Sequence, residues 1–140
     1  MNAKAYLSRA YYLELQVKSK QEQIEALRSL AERVSPGFGG ERVQHSLNAS
    51  AMEDTVAKIL EKEKEIEQKI DELVEMKLEI ARVIDRVEDV CTKVILEKRY
   101  LCFQTWTQIA VDLNYTERYV HMKHGDGLRA VEGILERMKE

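Results

Sequence analysis

Thr116, Arg118, His121, Met122, Lys123 and Arg129 crowd one short stretch near the C-terminus of this 140-residue chain. On a helix opening at Glu117, Arg118, His121, Met122 and Gly125 fall on one side, while Val120 and Leu128 face inward and Gly127 permits a close approach. A guanidinium such as that of Arg118 binds a guanine edge or a phosphate bidentately. Lys123 and Arg129 read as clamps on a phosphate backbone, and the free N–H groups at Thr116 can meet a phosphate. The chemistry is therefore that of nucleic-acid contact. No Gly-rich phosphate loop, nucleophile elbow or HExxH motif occurs, so neither catalysis nor a cofactor is expected. His121 and His124 have a spacing that can offer two imidazoles to a metal, but only Asp126 matches them. They read as two exposed helix histidines, with no metal.

Such a helix must be held by others, and the preceding residues supply them. Thr105 followed by Gln108 is a capping box, and the helix it opens, Trp106 to Leu113, sets Trp106, Ile109, Ala110 and Leu113 on one face. Asn114 suits the left-handed turn of a tight corner, and Thr116 caps the next helix. Asp89 is an N-cap for a further helix, Val90 to Tyr100. Together these residues predict a helix-turn-helix, the unit that lays one helix in the DNA major groove.

Upstream lie two long helices. Between Ala3 and Val34, apolar residues including Leu13, Val17, Ile24 and Leu27 recur at alternating steps of three and four. Ser35-Pro36-Gly37 and the glycines after it end that helix and open a connector over residues 35–49. Ser50 with Glu53 predicts a capping box for the second helix, whose seam holds Ile66, Ile70, Leu73, Ile80 and Ile84. Lys20, Glu63 and Lys77 interrupt the seams. They either fix the register of an interface or snorkel to solvent. Two antiparallel helices cannot cover both seams together with Leu7, Leu30, Leu60, Val74 and Leu78, so a homodimer forming a four-helix bundle is expected. Tyr6 reads as core, with Tyr11 and Tyr12 covering the end of the bundle.

The expected architecture is all-α: a long antiparallel, coiled-coil-like hairpin over 1–88 and a small helix-turn-helix domain over 89–140. Charged residues at 34%, aromatics at 6% and a single proline agree with long exposed helices. No apolar run is long enough to span a membrane and no signal-peptide core is present, so a cytoplasmic location is expected. Cys91 and Cys102 read as buried free thiols. The net charge is −3, unevenly spread: residues 52–96 hold eight Lys/Arg against thirteen Asp/Glu, and residues 97–140 hold seven of each. A lone DNA-binding tail is ordinarily basic, because phosphate neutralisation supplies most non-specific affinity.

The blocks Leu96 to Leu101, Thr105 to Ala110, and Leu113 to Arg118 with Val120 resemble region 4 of sigma-70-type factors, where the last block opens the recognition helix. The chain as a whole also resembles a family of small proteins from phages and integrated elements of Gram-positive bacteria, described as sigma-like or as transcriptional regulators. It departs from those patterns at Lys123 and Asp126, where an apolar and a basic residue are usual. The resemblance implies a regulator that binds double-stranded DNA as a dimer. Two other readings stay open: an adaptor that binds RNA polymerase or another regulator, and a DNA-packaging protein of the small-terminase kind.

Overall fold

The computed structural model describes residues 2–34 and 42–140, with the backbone alone for residue 34 and residues 42–49. Five helices follow one another: α1 (Ala3–Val34), α2 (Arg42–Ile84), α3 (Val90–Tyr100), α4 (Trp106–Leu113) and α5 (Glu117–Met138). The fold is all-α, with no strand among the described residues. Helix α2 begins eight residues before the expected Ser50, so Ser50 and Glu53 lie inside it and make no N-terminal capping box. Residues 42–49 hold neither Gly nor Pro, and once a long helix is nucleated it propagates through such a stretch. The rest of the expected connector, residues 35–41, lies outside the described residues.

The helices form two compact units, residues 14–71 and residues 1–13 with 72–140. In the first, α1 and α2 run antiparallel, burying Val17, Ile24, Ile59 and Ile66 with Leu27 packed against them. Lys20 pairs with Glu65 at 3.4 Å and Arg28 with Glu63, so two of the charges on the seam are neutralised inside the chain. Ile70 departs from the expected seam and is 37% exposed. A two-helix contact covers a narrow stripe. Ile59 and Ile66, seven residues apart, fill it, while Ile70 lies about 40° round the helix from Ile66 and, like Val56, stays open to solvent.

The second unit is built around one continuous core. Ala3, Leu7 and Ala10 of α1 meet Ile80, Val83 and Ile84 of α2, Val87 of the link, Leu96 and Tyr100 of α3, and Val131 and Ile134 of α5. Leu13 is buried in this unit and Leu73 packs against its core, as their seam positions predict. Leu7, expected to need an outside partner, is fully buried within its own chain, whereas Leu30, Leu60, Val74 and Leu78 are exposed. Helix α2 stops at Ile84, and the Asp89 carboxylate caps α3 by accepting the Thr92 N–H at 3.0 Å and the Thr92 hydroxyl at 2.6 Å. This is the helix boundary that Asp89 predicts. It is not a boundary of packing, because α3 and α5 share their core with the ends of α1 and α2.

Beyond α3 the chain turns through Phe103, whose φ of 56° places a bulky residue in the left-handed region at a cost of about 1–2 kcal/mol. Both cysteines are free. Neither is buried as expected: Cys91 is half-buried on α3, and Cys102 is exposed because α3 ends at Tyr100 and leaves it in the turn.

Glycine 127 is fixed by packing. A Cβ there would stand 2.9 Å from the Thr92 Cγ2 and 3.0 Å from a Leu96 methyl, whereas a Cβ at Gly125 meets only the end of Arg129 at 3.9 Å. Gly127→Ala is expected to lower the melting temperature, because overpacking costs about 1–3 kcal/mol against a helix-propensity gain of about 1 kcal/mol. Gly125→Ala collects that gain alone and is expected to raise it. Thermal unfolding of the two variants side by side checks the pair, and equal shifts would contradict the close approach.

Candidate functional site

The site-bearing helices are joined as their end signals require. Thr105 Oγ1 accepts the Gln108 N–H at 3.1 Å while the Gln108 side chain accepts the Thr105 N–H at 2.9 Å, closing the capping box. Asn114 takes the left-handed conformation with φ 59° and ψ 43°, and its neighbour Tyr115 donates its N–H to the Ala110 carbonyl at 2.9 Å. Thr116 then caps α5 by accepting the Tyr119 N–H at 3.1 Å. The two helices pack on a second core, Ile95, Ile109, Ala110 and Val120, with Trp106 and Leu113 against it. Helix α3 carries both cores, since the adjacent Ile95 and Leu96 point about 100° apart.

The outward row of α5 is as the spacing predicts: Thr116, Arg118, His121, Met122 and Arg129 are all exposed. Among the described residues, Arg118 makes no ion pair or hydrogen bond, so its guanidinium is available. Lys123 and Arg129 are not available in the same way. The Lys123 ammonium lies 3.6 Å from the Asp89 carboxylate and 5.7 Å from the Tyr119 ring, and Arg129 pairs with Asp126 one turn before it. Asp89 raises the pKa of Lys123. The Asp89 carboxyl is held below its usual range by the Thr92 hydroxyl and N–H it accepts, and further by Lys123. Lys98 and Lys139 also pair within the tail, with Asp112 and Glu136.

The two histidines part company. His121 is exposed and lies against the Trp106 ring at 4.6 Å, as a surface residue would. His124 is buried, contrary to its reading as an exposed helix histidine, with its Nε2 2.6 Å from the Tyr100 hydroxyl. Burial pushes the tyrosine up to about 12. It pushes the imidazole down to about 4, helped by the positive charges of Lys4 and Arg99 and by His121. Both groups are therefore neutral at pH 7, and the hydroxyl and the ring nitrogen share one hydrogen bond. The signal for this was present. Val120, His124, Gly127, Val131 and Ile134 form one inward row at steps of four and three, and all five are buried.

Residues 34–130 match the model of a family described as Protein of unknown function (DUF1492). The chain belongs to that family. No curated protein and no solved structure matches it. The matched span of this family member takes in α2, α3, α4 and the part of α5 that bears the exposed row, and it leaves out nearly all of α1.

The Tyr100–His124 pair ties stability to pH. Folded His124 stays neutral down to about pH 4, whereas an unfolded histidine takes its proton near 6.5. Between those values the unfolded state holds more protons, so stability falls as the pH drops from 6.5 towards 4. His124→Phe is expected to remove this component. Denaturant midpoints at pH 7 and pH 5 for the two proteins check it, and an identical fall in both would contradict it.

Proposed function

We propose that the protein is a DNA-binding transcriptional regulator of phage or mobile-element origin, in which α4, the Asn114 turn and α5 work as a helix-turn-helix like sigma region 4. The observation that carries this reading is the exposed row of α5. A left-handed Asn between two capped helices aims that row outward, and Arg118 stands in it without an ion pair or hydrogen bond among the described residues. A free guanidinium near the start of such a helix is suited to a guanine edge or to a phosphate.

Dimerisation belongs to the same proposal. Val56, Leu60 and Ile70 of α2, with Leu30 of α1, leave apolar side chains exposed on the first unit. A second copy covering it would bring two tails to one duplex, doubling the phosphate contacts that a neutral tail supplies weakly. A partner role with RNA polymerase or another regulator is the second reading. It is favoured by one observation: Lys98, Lys123, Arg129 and Lys139, four of the tail's seven cations, are engaged with acidic side chains of the same chain.

The full chain is expected to run at twice 16.3 kDa in solution and to shift a duplex from its own promoter region at low salt, the shift weakening as salt rises. Arg118→Ala, at an exposed position, is expected to lower affinity by about tenfold without loss of fold. Lys123→Ala should cost less, since Asp89 already holds that charge. A dimer that shifts no duplex at any salt concentration would end the regulator reading, and recovery of a polymerase subunit on the immobilised protein would then support the adaptor.

A further inference from the structure

Beside the outward row of α5, which His121 joins to it through Trp106, the second unit holds a cavity of about 320 Å³, within the range of about 300–1,000 Å³ typical of small-molecule sites. Its walls come from distant parts of the chain: Lys4, Ser8 and two tyrosines from the start of α1, Arg99 and Tyr100 from the end of α3, and Phe103, Thr105 and Trp106 beyond it. Five of these nine residues are aromatic, and none of the described residues lining it is acidic. In a chain of net charge −3, a pocket with two cations and no carboxylate is a local reversal of sign.

The aromatic groups are fixed in place. The Arg99 guanidinium lies 4.4 Å from the centre of the Trp106 ring and donates to the Gln104 carbonyl at 3.0 Å. Phe103, held in its left-handed conformation, meets the Tyr11 ring edge-on at 5.6 Å and carries Lys77 over its ring at 4.7 Å. Backbone strain of this kind persists where the surroundings over-determine it, and ligand clamps are among the places it collects. Tyr12 is 63% exposed, and Lys4 makes no ion pair among the described residues, so a flat face and a cation stand open to a ligand.

We propose that this cavity binds a nucleotide unit, a planar base with its phosphate. The base stacks against Tyr12 and the Arg99–Trp106 pair, since both aromatic rings and guanidinium planes serve as stacking partners for bases. The phosphate is met by Lys4 and by the hydroxyls of Ser8 and Thr105. The same chemistry is offered by a free nucleotide and by the unpaired 5′ end of a strand. None of the residues lining the cavity belongs to the α5 row that carries Arg118, and the proposal does not rest on the duplex contact.

Trp106 is the single tryptophan of the chain and lines this cavity, so its fluorescence reports on it, and substitutions at Tyr12 and Lys4 separate that signal from any change at the neighbouring His121. Titrating the full-length protein with nucleoside monophosphates and with a short 5′-phosphorylated single strand is expected to quench that fluorescence saturably in at least one arm. Saturation by monophosphates identifies the free nucleotide as ligand, and saturation by the strand alone identifies the strand end. Tyr12→Ala and Lys4→Ala, both at exposed positions, are each expected to weaken the effect about tenfold while leaving the helical circular dichroism unchanged. No saturable quenching in either arm up to about millimolar ligand, or equal affinity in the wild type and both variants, would overturn the proposal.

Discussion

Leu96 is the side chain on which the rest of the second unit depends. It is fully buried on α3, packs in one core with Leu7 of α1 and Ile84 of α2, and sits so close to α5 that position 127 has room for no more than a hydrogen. Burying a leucine contributes about 1.5–3 kcal/mol, but here the geometry matters more than that sum. With Thr92 beside it, this side chain sets the distance between α3 and α5, and it attaches both to the ends of the hairpin. The orientation of α5, and therefore of Arg118, follows from that packing and not from α4 and the turn alone.

Close packing also explains the polar pair inside the unit. Gly127 draws α5 onto α3, which brings His124, one turn before it, level with Tyr100. A buried imidazole without a partner would cost about 1–3 kcal/mol, and the Tyr100 hydroxyl removes that penalty. Tyr100 in turn borders the aromatic cavity, as do Arg99 and Trp106, so core packing, the polar pair and the cavity are neighbours built on the end of α3.

Much of this was legible in the residues. Asp89, Thr105, Asn114 and Thr116 each act through their own backbone neighbours, so their types and spacing suffice to place the start of α3, both limits of α4 and the start of α5. Seam positions such as Leu13, Val17, Ile24, Ile66, Ile80 and Ile84 are buried, because a heptad reports which face is covered. What the pattern does not report is by what. Leu7, read as needing an outside partner, meets a sequence-distant core, while Ile70, read as seam, lies beside the stripe that α1 covers. The pairing of Lys123 with Asp89 and the cavity between the start of α1 and the end of α3 join residues far apart in the chain, and no local spacing encodes them.

The central claim is that the helices bearing the site fold as one unit with the start of α1. Native-state hydrogen exchange on the full chain, wild type against Leu7→Ala, tests it most directly. Removing a buried leucine costs about 2–5 kcal/mol. If the core is shared, the amides of Leu96 and Val131, on α3 and α5, lose protection by the same factor as those around Ala10, at least about tenfold. Wild-type protection retained at Leu96 and Val131 while the start of α1 opens would contradict the account.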